Sequence, residues 1–300
     1  MIVITGATGN TGQVVAETLL SRGRKVRVLG RHAAKLVPLA AKGAEAVPAE
    51  VLDVQALTKA FTGADGVYLL VPRDINTPDV IAHYDRVTEA YVAAIKASGV
   101  QYAVTLSSVG AQLTAGNGPV LGLHRMEEKI NTIPHLNVVH LRPGAFMENT
   151  LAQIAVIQRF GNMAGVIKAT TPFSQIATRD IGVAAANLLE RLDFAGKSTR
   201  ELLGPRDISM NEVAKIIGAA IGKPDLAYME APVPMFTAGL QQAGFSANLA
   251  ELMAEMSLSI GSGVMKYQEP RSAANTTPTS FETFAAEVFA PAFRAKAASA

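Results

Sequence analysis

Three glycines spaced by two and two, Gly6, Gly9 and Gly12, separate a β-branched run (Ile2-Val3-Ile4-Thr5) from an amphipathic helical stretch (Val14 to Arg22). Few local patterns constrain a fold as tightly. A strand that turns at once into a helix needs Gly6 for the turn, and Gly12 lets helix and strand pack closely. Gly9 lets phosphate groups approach the backbone. The first N–H groups of the new helix have no partner inside it and sit at the positive end of its dipole. Gly6, Thr8, Gly9, Asn10, Thr11 and Gly12 therefore read as a cradle for a dinucleotide pyrophosphate. Glycine triplets also occur in plain loops; the strand before and the helix after favour the nucleotide reading.

The alternation continues. Short apolar runs recur at Met1–Thr5, Lys25–Leu29, Glu45–Pro48, Gly66–Val71, Tyr102–Leu106 and Asn137–Leu141. Helical patterns lie between them at Thr11–Arg22, Ala33–Lys42, Val54–Phe61, Asp79–Ser98 and Leu123–Thr132. This order predicts an α/β fold: a Rossmann-type, doubly wound parallel sheet covered by helices on both faces. Ligands of such sheets bind at the carboxyl ends of the strands, where the strand order reverses.

After Arg142 the pattern is less regular. Asp180–Leu192 and Asn211–Ile221 read as helices, Arg200–Leu203 and Leu226–Glu230 as short strands. Phe236–Ala243 and Ala247–Leu258 read as a helix pair, and Phe281–Phe293 as a docking helix. Without a linker or repeat, the expectation is a nucleotide-binding domain over residues 1–150 and a smaller α/β substrate lobe over 151–300. The lobe is not an independent domain, and later segments are free to return to the sheet. The tail Ala295–Ala300 is expected to fray.

Composition excludes several classes. With 49% apolar residues and a formal net charge of +2, the chain has a large core and no charge surplus suited to nucleic acid or an anionic membrane. It has no cysteine, so disulfides, thiolate chemistry and cysteine-held metals are out. His83, His135 and His140 lack metal-ligand spacing, and no metal site is expected. No apolar run reaches the roughly 18 residues of a membrane span. The first strand starts at Met1, leaving no room for a leader, so a soluble cytoplasmic chain is expected.

The second strand specifies the nucleotide. An acid at its end would bind the adenosine ribose hydroxyls of NAD; an arginine there accommodates the 2′-phosphate of NADP. The chain reads Val28-Leu29-Gly30-Arg31-His32, with Lys35 one turn further on. Arg31 and Lys35 point to NADP(H), against the alternative of a solvated basic helix start. Glu50 or Asp53 could reach the adenine edge, although Asp53 reads equally as a helix N-cap. Val71 ends the fourth strand and Pro72 and Arg73 follow it, beneath the expected pyrophosphate and nicotinamide ribose.

The chain resembles the NmrA-like branch of atypical short-chain dehydrogenases/reductases. Gly6-Ala7-Thr8-Gly9-Asn10-Thr11-Gly12, Leu106-Ser107-Ser108-Val109-Gly110 and Leu141-Arg142-Pro143-Gly144-Ala145-Phe146-Met147-Glu148-Asn149 carry the resemblance. Thr178-Arg179-Asp180-Ile181-Gly182 and Thr277-Pro278-Thr279-Ser280-Phe281 extend it over nearly the full length. It implies a Rossmann domain, a small C-terminal lobe and NADP(H) between them. Members include quinone reductases, triphenylmethane dye reductases and non-catalytic NADP-sensing regulators.

Most of that superfamily pairs a tyrosine with a lysine four residues later, which lowers the phenol pKa for proton transfer. Here His124 stands in the tyrosine's place and Glu128 in the lysine's. Lys129 does not restore the pattern, since a spacing of five lies about 140° around a helix. His124 with Glu128 reads either as an oriented imidazole–carboxylate acid/base pair or as an ordinary helix-surface pair.

Without that relay, alcohol–ketone interconversion is disfavoured. Hydride transfer to a quinone, an enone or a cationic dye needs less help, because water can supply any proton. Pro143, Gly144 and Phe146 close the sixth strand where backbone groups could hold the nicotinamide carboxamide. Ser107 and Ser108 end the fifth, suited to ribose and substrate or else to capping a turn. Met147 and Phe236 suit a planar apolar acceptor, although each is also an ordinary core residue. Gln112–Gly122 reads as a mobile lid or a flexible connection, and Asp180 as an N-cap. The expectation is an NADPH-dependent reductase of a conjugated small molecule. Its rival is an NADP(H)-sensing regulator, which needs the nucleotide site and a protein partner but no catalytic groups.

Overall fold

The computed structural model describes residues 1–297; residues 298–300 of the expected frayed tail lie outside the described residues. The first half runs β1 (Ile2–Ile4), α1 (Asn10–Ser21), β2 (Val26–Gly30), α2 (Ala33–Ala41), β3 (Glu45–Pro48) and α3 (Val54–Phe61). It continues through β4 (Gly66–Leu69), α4 (Val80–Ser98), β5 (Tyr102–Leu106), α5 (Val120–Asn131) and β6 (Asn137–Pro143). Next come β7 (Ala145–Phe146), a 3₁₀ turn (Met147–Ala152), α6 (Gln153–Phe160), β8 (Met163–Gly165), β9 (Phe173–Ile176), α7 (Thr178–Arg191) and β10 (Lys197–Leu202). The remainder is β11 (Asp207–Ile208), α8 (Met210–Ile221), β12 (Tyr228–Glu230), α9 (Val233–Gln242), α10 (Ala247–Gly261), α11 (Phe281–Phe284) and, after a π turn, α12 (Ala290–Ala297).

Among the described residues, seven parallel strands form one sheet in the order β10-β6-β5-β4-β1-β2-β3. The order reverses beside β1, so the glycine loop opens at the switch point. Period-two alternation divides each strand between the two helix layers. Ile2, Ile4, Val104 and Val139 pack with α1 and α7 residues such as Leu19 and Leu188. Val3, Ala103 and Val138 face the other way, onto Phe61, Tyr91 and Met126 of α3, α4 and α5. Asp53 and Asp79 cap α3 and α4, accepting from Ala56 N (3.0 Å) and Ala82 N (2.9 Å).

The second half of the chain does not stay apart. α7 lies on α1, where a Cβ at Gly182 would come within 2.5 Å of Val14 Cβ. β10 then pairs with β6 at the sheet edge. Residues 178–202 thus join the first 143, and the lobe boundary crosses the chain more than once. The lobe itself holds two small sheets, β11-β9-β7 and β12-β8, around a core that includes Ile157, Val213, Ile217, Phe284 and Phe289. No helix among the described residues is long and apolar enough to cross a membrane.

Candidate active site

Gly6 adopts φ +60°, which glycine tolerates and other residues resist. A Cβ at Gly12 would sit 2.3 Å from Gly6 O, closer than any real contact, so the loop curls tightly against the first helical turn. Gly9 is the N-cap of α1, with no side chain capping the helix, and no acidic residue lies in the first turn. Thr8, Gly9 and Asn10 are exposed. The leading N–H groups are thereby left for an anion from outside. Thr11 differs: its side chain is buried and its hydroxyl accepts from Tyr68 Oη at 3.0 Å. Arg31 and Lys35, just past β2, are exposed and make no ion pair among the described residues.

Next to the loop, at the same carboxyl edge of the sheet, lies a cavity of about 780 Å³. The two are joined through Leu70, which lines the cavity and would meet a Cβ on Gly6 at 2.8 Å. Val71, Arg73, Leu106, Ser107, Ser108, Pro143, Gly144 and Phe146 form its sheet side. α10 supplies the opposite wall with Leu249, Met253, Met256 and Ile260, and the following loop adds Met265, Lys266, Tyr267 and Gln268. His83 and Tyr84 of α4 and Leu123 of α5 close the flank. The lining is mostly apolar with a few polar groups, the character of a small-molecule site.

Beneath the floor runs a buried polar chain. Ser107 Oγ donates to the Glu127 carboxylate, and Arg142 Nε donates to the same group at 2.9 Å. Burial opposes the Arg142 charge, but the Glu127 bonds and the nearby Glu201 outweigh it and hold the guanidinium above its ordinary pKa. Glu201, opposite Arg142 in the β10–β6 register, accepts from Gln268 N (2.8 Å) and Glu269 N (2.8 Å). The loop carrying Lys266 to Gln268 is therefore tied back to the sheet edge. Tyr267 Oη donates to Asp207 at 3.0 Å, and Asp207 also pairs with Arg271.

Several expected site residues have other tasks. His124 Nδ1 donates to Ala111 O at 2.8 Å and its Nε2 faces Glu128 at 3.4 Å, so the pair forms. Neither residue lines the cavity, and Glu128 is exposed, so the pair stands apart from the groups that border the cavity. Met147 belongs to the lobe core and Phe236 lies on α9; neither reaches the cavity. Pro72 is also absent from its lining, its carbonyl accepting from His83 Nε2 at 2.9 Å. Glu50 is exposed beyond β3, and Asp53 is the cap of α3. Ser108 Oγ donates to Val109 O, and Gly144 N–H is spent on Leu202 O.

The segment read as a mobile lid or a flexible connection carries internal hydrogen bonds. Asn117, fully buried, donates to Gly110 O (3.0 Å) and Leu113 O (2.9 Å), and Gly118 packs against Leu252 O. Asp180 is not an N-cap: the helix starts two residues earlier, and the Asp180 carboxylate instead accepts from Thr279 N (2.9 Å) and Oγ1 (2.8 Å). Glu148 does the capping, accepting from Thr178 N at 3.0 Å and its Oγ1 at 2.6 Å.

The model of the NmrA-like family matches residues 1–285. The chain belongs to that family. It is 30% identical over 227 residues to the (4-alkanoyl-5-oxo-2,5-dihydrofuran-3-yl)methyl phosphate reductase of Streptomyces griseus, covering 75% of each chain. It is 26% identical to the NAD(P)H azoreductase of Xenophilus azovorans, over 85% of this chain and 86% of that one. The crystal structure of an NADPH-dependent quinone oxidoreductase from Escherichia coli, complexed with NADPH, superposes with a TM-score of 0.82 at 23% identity. That match covers 96% of this chain and all of the other, and it establishes the shared fold.

Proposed function

We propose that this NmrA-like protein is an NADPH-dependent reductase that delivers hydride to a conjugated small-molecule acceptor of quinone, enone or dye type. The observation that carries the reading is the junction of the uncapped glycine cradle with a largely apolar cavity at the switch point of the sheet. The cradle fits a dinucleotide pyrophosphate: the loop curls onto the first helical turn, where a Cβ at Gly12 would meet Gly6 O, and the helix N-terminus offers unpaired donors. Arg31 and Lys35 would hold a 2′-phosphate, while Val71, Arg73, Ser107, Pro143, Gly144 and Phe146 would border the nicotinamide half. Bound there, the reduced dinucleotide would supply the hydride. The chain's own part is to orient and to exclude water: Phe146 on the sheet side and Met253, Met256 and Ile260 opposite it make a slot for a flat acceptor.

Relatives named as reducing an oxo-dihydrofuran and azo compounds, and a fold relative named for quinones, support an acceptor of this class. NADPH oxidation with a panel of quinones, enones, azo dyes and triarylmethane dyes tests the reading. Turnover with at least one class is expected. Tight NADPH binding with no turnover anywhere would favour the sensor alternative.

A further inference from the structure

We propose that Tyr84 is the proton donor of this site, delivered from α4 across a glycine notch in α5. The inference rests on the reductase reading above. α4 and α5 lie side by side, and the Tyr84 ring crosses α5 at Gly122: a Cβ there would come within 2.5 Å of Tyr84 Cγ. The gap in α5 two residues before His124 thus admits a phenol from the neighbouring helix, and the phenol lines the cavity.

Its hydroxyl is free to act. Tyr68, Tyr91, Tyr228 and Tyr267 donate their hydroxyls to Thr11, Leu70, Ile167 and Asp207. Tyr84 Oη makes no hydrogen bond among the described residues. His83, the neighbouring ring in the same wall, has its Nε2–H committed to Pro72 O. Burial pushes the Tyr84 phenol pKa up, so it stays protonated, while the Arg73 charge favours the phenolate when it forms. An acid that holds its proton until charge develops nearby suits this task.

The step balances as follows. The acceptor gains a hydride from the reduced nicotinamide dinucleotide, and its conjugated π electrons settle on the carbonyl oxygen. The Tyr84 O–H bond breaks as a new O–H bond forms on that oxygen, and the phenolate regains a proton from solvent. A triarylmethyl cation needs no such proton, because hydride addition alone neutralises it.

Tyr84→Phe keeps the ring over Gly122 and removes only the hydroxyl. The quinone-to-triarylmethane rate ratio is expected to fall about 100-fold, and the solvent isotope effect on quinone reduction to change with it. Quinone affinity for the nucleotide-free protein, read by calorimetry, should fall up to about tenfold, the effect of one lost hydrogen bond. An equal loss with both acceptors, or no loss with either, overturns the assignment while leaving the reductase reading in place. Wild-type protein that reduces neither acceptor overturns the reductase reading and this assignment with it.

Discussion

Arg142 Nε and Glu127 Oε1 meet at 2.9 Å under the floor of the cleft, joining β6 to α5 in a pair almost closed to water. Ser107, the residue just past β5, donates to the same carboxylate. One carboxylate thus ties together three elements that carry cavity residues. Such a pair stabilises little relative to a well-packed apolar substitute, yet breaking one half strands the other in a low dielectric. Arg142→Met is expected to cost about 3–5 kcal/mol in urea unfolding, and the double variant Arg142→Met with Glu127→Leu to recover most of it. A single-variant loss below about 1 kcal/mol would show that water reaches the pair.

Burial, chiefly, depresses His140 to a pKa of about 4. Its neutral ring is fully used: Nδ1 accepts from Thr105 Oγ1 at 2.7 Å and Nε2 donates to Asn131 Oδ1 at 3.0 Å. An unfolded histidine titrates near pH 6.5. The unfolded chain therefore binds the proton first, and this contribution is complete above pH 6.5 and lost as the pH falls toward 4. Between pH 7.5 and 5 the site should cost about 2 kcal/mol, seen in denaturant midpoints. In His140→Gln that increment should vanish; an unchanged pH profile would refute the assignment.

Arg31 is exposed, unpaired among the described residues and one residue past β2, beside the proposed adenosine site. Arg31→Ala should weaken NADPH about 10- to 100-fold, the loss of one charge-assisted contact, while NADH affinity changes little. Equal effects on both nucleotides would remove Arg31 from the 2′-phosphate.

Asp180 fastens the segment around Thr279 to α7 by two hydrogen bonds across 99 residues of sequence. Asp180→Ala leaves buried donors on Thr279 unpaired, and about 1–3 kcal/mol of stability should go with them. Because both bonds go to Thr279 and neither to the glycine loop, NADPH affinity near room temperature should hold. A variant that folds normally but no longer binds nucleotide would contradict this division.

The layered fold could be read from local signals. In the first half of the chain, alternating apolar runs gave β3 and β5 their observed bounds and most other elements differ by a residue or two, because period and capping are properties of neighbouring residues; β7, α6, β8, β9 and β11 in the second half were not anticipated. α5 is the exception of consequence: it begins at Val120, three residues before the expected start, so Gly122 lies inside the helix as the notch for Tyr84. No signal in α4 distinguished Tyr84 from a core aromatic. A comparison of Gly122 with the helix before it could have raised the question, since a glycine inside a helix costs stability unless something occupies its space.

The sequence alone determined the strand–glycine–helix cradle and the basic end of β2, because both depend on residues within one turn of each other. Only the tertiary structure decided which side chains share the cleft. His124 fills the tyrosine's place in the sequence, but helix rotation gives its Nδ1 to Ala111 and its Nε2 to Glu128. Tyr84, about forty residues earlier, enters the cavity because α4 and α5 pack at a glycine. Local chemistry sets the backbone's turns; the contents of a cavity follow from how separate elements pack.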